Sequence, residues 1–226
     1  MNTLTSSPCS VVVARLFAEA DASDARLDER RQALPASGQA ALMSTENYRA
    51  LYGILKDFHL AVSRQAAMLL YMLARSTGAR AIVEFGTSFG VSTLHLAAAL
   101  RDNGGGRLIG TEFEPTKVDG ARASIAAAGL DDLVEIRAGD AVDTLARDLP
   151  ETVDLVLLDG AKGLYSTVLS LLEPRLRPGA LVVADNADWS PEYLARVRDP
   201  DCGYVSVPFA GDVELSMKLA GNGDGL

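Results

Sequence analysis

The chain has 226 residues, a net charge of −9 and two cysteines. That length suits one α/β domain with a sizeable core. The acidic balance argues against nucleic acid or an anionic membrane as a partner, since both demand a basic face, and leaves a small molecule as the default substrate. Cys9 and Cys202 lack metal-type spacing, which suits a reducing cytoplasm. No apolar run reaches the roughly 20 residues of a membrane span. The opening stretch MNTLTSSPCSVVVARLF has no basic region and Arg15 cuts its apolar run, so no secretory leader is expected.

Residues 1–77 read as helices. Ser10 to Ala20 and Asp24 to Leu34 are short alanine- and charge-rich stretches, ended by Pro35 and Gly38. Ser44 is placed to cap a helix running to about Phe58, with Tyr48, Leu51, Tyr52 and Leu55 on one face. Ser63 caps another, whose core stripe is expected to be Met68, Leu69, Met72 and Leu73, with Gly78 as its stop. This region is expected to cover the functional site and to form the interface of a homodimer.

From residue 78 the pattern alternates. The apolar runs AIVEF, RLIGTEF, LVEIRA, VDLVLLD and ALVVAD are separated by the helical segments STLHLAAALRD, PTKVDGARASIAAAG, DAVDTLARDL and LYSTVLSLLEPRL. Continuous apolar runs joined by helices predict parallel strands buried on both faces, hence a doubly wound, mostly parallel α/β sheet over residues 78–226. GYVSVPF and VELSMKLA, joined by a few residues including Gly211, predict a hairpin and an antiparallel strand near the C-terminus. Gly221 to Leu226 reads as a frayed tail.

Ligands of such sheets sit beyond the carboxyl ends of the strands. The first turn, VEFGTSFGVST, satisfies G-x-S-x-G. A hydrolase triad would need a histidine late in the chain, and only His59 and His95 exist. The G-x-G-x-x-G spacing of a dinucleotide turn is also absent. A looser glycine turn, with Gly86 and Gly90, suffices for an adenosyl cofactor that has no pyrophosphate. Glu84, inside its strand, is costly to bury without a cation or donors, and the ammonium of a bound amino acid is one such partner. Glu112 at the next strand tip is placed to bond ribose hydroxyls, as it would for NAD too. Asp140, with Ala141 beside it, serves as a helix cap, a role compatible with contact to an adenine edge.

Asp159 ends the fourth strand, and Asp185 and Asn186 end the fifth. If those strands pair, their tips lie about 4.8 Å apart. Three oxygen donors without His or Cys suit a hard cation at roughly 2.1 Å, although an aspartate at such a tip also commonly caps a helix. Lys162 stands on the same rim, as a base if a nearby cation and desolvation lower its pKa, or as a solvated surface lysine.

These residues resemble the metal-dependent O-methyltransferases of the catechol and caffeoyl-CoA type, over roughly Ser63 to the end. Gln65 matches the family's Gly-Gln helix entry, although Arg64 replaces the glycine. Glu84, Gly86, Ser88 and Ser92 match the motif that holds the methionine part of S-adenosylmethionine, and Glu112 matches the ribose-binding acid. The specific part is D-x-x-K-x-x-Y, here Asp159, Lys162 and Tyr165, followed by Asp185-Asn186. The resemblance implies a Rossmann-like class I methyltransferase fold. It also implies a magnesium or similar divalent ion on Asp159, Asp185 and Asn186, with Lys162 as the base. The cofactor set expected here is Ser63, Glu84, Gly86, Ser88, Ser92, Glu112, Asp140, Ala141 and Asp159. Gly160-Ala161 depart from the bulkier residues usual between Asp and Lys, so the substrate pocket is expected to be differently walled.

Overall fold

In the computed structural model, which describes residues 2–32 and 48–220, the apolar runs become five parallel strands. They are β1 (Ala81–Phe85), β2 (Arg107–Glu112), β3 (Val134–Ala138), β4 (Val153–Leu158) and β5 (Leu176–Ala184). The sheet order is β3-β2-β1-β4-β5-β7-β6, with β6 (Tyr204–Phe209) and β7 (Val213–Lys218) forming the expected hairpin. β7 inserts antiparallel against β5. The chain builds outward from β1 to β3 and then returns to place β4 beside β1. That reversal opens a crevice at the β1 and β4 tips, where α/β sheets bind ligands.

Side chains of a strand alternate between faces, and here each face is covered. Ile82, Leu108, Leu155, Leu157, Leu181 and Val183 pack beneath α1 (Cys9–Gln32), α3 (Arg64–Ser76), α4 (Val91–Asp102) and α5 (Pro115–Ala127). Val83, Phe85, Ile109, Val156, Leu158 and Val182 pack on the other side against α7 (Tyr165–Leu172) and α8 (Pro191–Arg198). The N-terminal helices α1 and α3 therefore share one core with the sheet. Among the described residues no helix is long and apolar enough to cross a membrane, and both cysteines are free.

Three details differ from the sequence reading. The stretches Ser10–Ala20 and Asp24 onward are one helix, α1, because no glycine or proline interrupts them; Leu34, Pro35, Gly38 and Ser44 lie outside the described residues. Ser63 does cap α3, accepting from the Ala66 N–H at 3.1 Å. Its buried stripe, however, is Ala66, Ala67, Leu70 and Ala74, while Met68 and Met72 are exposed. Small residues let α3 lie close to the alanine-rich α4, and Leu70 fills the seam; its truncation to Ala would cost about 2–5 kcal/mol. The third difference is α6, which spans only Ala141–Thr144. Arg137 donates to the carbonyls of Thr144, Arg147 and Asp148, taking up groups that a longer helix would need for its own ladder.

Candidate active site

The β1 turn is built around a close approach. Gly86 has φ +97°, and a Cβ there would lie 2.5 Å from the Asp159 carbonyl oxygen, so only glycine lets the first turn touch the fourth strand tip. Beyond this contact lies a cavity of about 60 Å³, open to solvent and roofed by α2 (Tyr48–Ile54). Of the residues expected at a cofactor, Gly86, Ser88, Glu112, Asp140, Ala141 and Asp159 line it.

Glu112 accepts from the backbone N–H groups of Ser88, Phe113 and Glu114 at 2.8–2.9 Å, which fixes its carboxylate at the β2 tip. Asp140 caps α6 through the Val142 N–H at 3.0 Å. Its other oxygen accepts from the Tyr48 hydroxyl and from Arg49, each at 2.6 Å, tying α2 to the cavity edge. Those hydrogen bonds overcome its burial and hold the Asp140 carboxyl below the usual range.

Ser63, Glu84 and Ser92 do not line the cavity. Alternation along β1 explains Glu84: it shares the face of Ile82, under the first turn of α4, while Phe85 faces the other way. Ser92 and Thr93 each donate to its carboxylate at 2.5 Å, and Thr87 donates at 3.2 Å. Burial nevertheless pushes its pKa up to about 7. Ser92 is occupied by this role, and Ser63 by capping α3.

The β4 and β5 tips meet as expected. Leu158 and Ala184 are in register, so Asp159 and Asp185 follow side by side at the paired strand tips; Asp159 lines the cavity, whereas Asp185, Asn186 and Lys162 are not among its lining residues. Burial, then the charge of Asp159, pushes the Asp185 carboxyl up to about 7. Lys162 donates to Asp159 at 2.9 Å. Burial alone would lower the lysine pKa, but the Asp159 carboxylate outweighs it and the ammonium ends above its ordinary value. The expectation of a lysine poised to lose its proton is therefore not met by the chain's own charges. Asn186 takes a left-handed conformation, φ +48°, and its amide donates to Asp212 at 3.3 Å.

The motif's tyrosine has a supporting part. Tyr165 is fully buried, its hydroxyl donates to the Asp185 carbonyl at 2.7 Å, and its ring meets Phe85 and Tyr193 edge-on. The small residue after Asp159 also has a reason, since a side chain on Gly160 would run into the Phe85 ring. Trp189 is about half exposed, and His59 stacks on Phe89 at 4.3 Å without lining the cavity.

Sequence reasoning missed three residues here. Tyr48 and Tyr52 were expected on a packing face but line the cavity, and the Tyr52 hydroxyl reaches the Gly160 carbonyl at 3.2 Å. Lys117 also lines it. The available signal was its place in the first turn of α5, where the helix dipole disfavours a cation and a compensating anion is therefore expected.

The sheet order with β7 reversed, and a cavity at the switch point, define a Rossmann-like class I methyltransferase architecture. Comparison with known proteins agrees. A methyltransferase-domain family model matches residues 83–187. The chain is 37% identical over 130 residues to a catechol O-methyltransferase of Niastella koreensis, covering 56% of this chain and 58% of that protein. A putative O-methyltransferase of Mycobacterium bovis is 30% identical over 175 residues, covering 74% and 75%. The solved O-methyltransferase TomG of Streptomyces achromogenes, involved in tomaymycin synthesis and in complex with SAM, superposes with a TM-score of 0.65 at 27% identity, over 79% of this chain and 90% of that one. The match thus spans less than two thirds of the length of the Niastella relative. The chain belongs to the class I O-methyltransferases.

Proposed function

We propose that the chain transfers a methyl group from S-adenosylmethionine to a hydroxyl of a small catechol-like or vicinal-diol substrate, assisted by a hard divalent cation. The observation that carries this reading is the pair of adjacent carboxylates at the β4 and β5 tips, Asp159 and Asp185, with Lys162 bonded to Asp159, which lines the same cavity as Glu112 and Asp140.

Among the described residues no group of three or more His, Cys, Asp or Glu side chains is gathered as a metal site. The fit rests on two carboxylates plus the Asn186 amide. Two carboxylates pressed together carry negative charge that one proton near neutrality only partly relieves, and an all-oxygen donor set suits magnesium or a similar ion. When bound, such a cation would orient two vicinal substrate oxygens and lower the pKa of one.

The remaining work falls to the chain. Glu112 accepts hydrogen bonds from the ribose hydroxyls, Asp140 and Ala141 border the adenine end, and the Gly86 turn lets the cofactor lie against the backbone. S-adenosylmethionine, when bound, would supply its sulfonium methyl to a substrate oxygen aligned with it and leave as S-adenosylhomocysteine, and Lys162, once neutral, would accept the hydroxyl proton. Whatever satisfies Asp159 in place of Lys162 removes what now holds the ammonium. The expected homodimer, with the N-terminal helices as its interface, would be tested by light scattering in solution.

The test is turnover of labelled cofactor on a panel of catechols and diols, before and after chelation. Activity should vanish with chelator, return with magnesium, and stay absent in Asp185→Ala. Full activity in excess chelator favours the second reading, metal-independent transfer to another oxygen or nitrogen nucleophile. Cofactor binding without turnover on any substrate would favour a non-catalytic binding protein.

A further inference from the structure

Lys117 is the one cation among the described residues that line the cavity. Its side chain is 2% exposed, and among the described residues its ammonium makes no hydrogen bond and no ion pair. It lies 5.8 Å from the centre of the Phe89 ring, at the outer limit of a cation–π contact. The carboxylates acting on it, Glu112, Asp159, Glu114 and Asp57, influence it from a distance, and burial lowers its pKa. Its Nζ is not among the fully buried polar atoms that lack a partner, so the ammonium opens onto the cavity it lines, with no acceptor of its own there among the described residues. Its place in the first turn of α5 is itself unfavourable for a cation.

The groups expected to hold the amino-acid end of the cofactor are already committed. Ser92 is spent on Glu84, the Ser88 N–H on Glu112, and the Ser88 hydroxyl on the His59 carbonyl. The carboxylate of a bound methionine moiety is the cofactor's single negative charge. In this cavity Lys117 is the cation left to receive it.

We propose that Lys117 binds the carboxylate of the cofactor's methionine moiety, so that the chain holds this end by an ion pair in place of the turn's hydroxyls. The assignment rests on the S-adenosylmethionine reading above. It makes the cavity selective for adenosyl thioethers that keep their carboxylate. It also makes the lysine a group whose stability cost is offset only when ligand is bound.

Calorimetry with S-adenosylhomocysteine and with its decarboxylated analogue tests this on the full chain. The parent protein should prefer S-adenosylhomocysteine. Lys117→Met and Lys117→Gln should weaken that ligand by roughly tenfold or more and leave the analogue unchanged, and Lys117→Arg should restore part of the preference. The ligand-free Met variant should melt no lower than the parent, since it loses a buried ion without a partner. An equal loss for both ligands, with a lower melting temperature, would mean that Lys117 only balances Glu112, and would overturn the assignment. Unchanged binding of S-adenosylhomocysteine would overturn it too. A parent protein that binds neither ligand refutes the cofactor reading itself, and this assignment with it.

Discussion

Two buried carboxylate sites lie within a few residues of the β1 turn, and they are alike in burial and in carboxyl pKa. Glu84 and Asp185 are both pushed up to about 7, each first by burial. They differ in what surrounds them. Glu84 is met by three hydroxyls, has no cation against it among the described residues, and faces away from the cavity under α4. Asp185 stands beside another carboxylate, Asp159, which Lys162 bonds and which lines the cavity. A shifted pKa therefore does not separate a structural acid from a functional one. Satisfaction and access do: Glu84 joins β1 to α4, whereas the Asp159–Asp185 pair carries charge that its own neighbours leave unresolved.

The largest effect that sharpens this contrast is expected at Lys162. Lys162→Met keeps the stem and removes the amine, so the maximal rate should fall by about 10²–10⁴-fold, as for loss of a general base, while cofactor affinity stays within a few-fold. The loss should shrink on substrates with acidic hydroxyls, such as nitrocatechols. A rate equal to the parent's on an ordinary catechol would make the β4–β5 rim as structural as Glu84.

A smaller effect is expected at Glu112, which belongs to both sides of the comparison because it anchors the turn and faces the cavity. Glu112→Ala should weaken S-adenosylmethionine binding by roughly 10- to 100-fold, the worth of a charge-assisted hydrogen bond. It should also lower the melting temperature, since three backbone N–H groups lose their acceptor. Glu112→Gln separates the two by keeping a side-chain oxygen. Calorimetry showing unchanged affinity in a folded variant would remove the residue from the cofactor site.

The smallest effect on turnover is expected at Glu84, and there the readout is stability. Its folded pKa, about 7, lies above its ordinary value of 4.5. Between those values the native state holds a proton that the unfolded chain has lost, so this group's contribution to stability falls as pH rises. Above pH 7 the full penalty is present. Glu84→Gln cannot ionise, so its stability relative to the parent should rise by up to about 1.4 kcal/mol per pH unit across that window, as denaturant titrations from pH 5 to 8 would show. Its turnover at a fixed pH should stay within a few-fold of the parent's. A pH-independent difference, or a collapse of cofactor affinity, would return Glu84 to the cofactor site.

Much of this contrast was legible in the chain and part of it was not. The all-oxygen set at Asp159, Asp185 and Asn186, with Lys162 three residues on from Asp159, follows from strands ending where apolar runs end and from consecutive strands pairing. The assignment of Ser92 to the cofactor followed family likeness, and that of Glu84 followed the cost of burying a carboxylate as well; neither says which face of β1 Glu84 occupies once α4 lies over it. Lys117 looked like an ordinary helix residue because nothing local reports the depth of the groove between the Phe89 ring and the cavity.

The sequence by itself determined the strands, their parallel sense, the C-terminal hairpin and the positions of the acids at the strand tips. Those depend on short-range chemistry: alternation, apolar runs, glycine and the capping residues, each felt within a few positions. Tertiary structure alone decided the continuity of α1, the face α3 buries, the truncation of α6 by Arg137, and which carboxylates and cations see the cavity. These outcomes depend on groups distant in sequence competing for the same hydrogen bonds and the same buried space. Burial sets the cost of an unpaired charge only after the whole sheet has assembled.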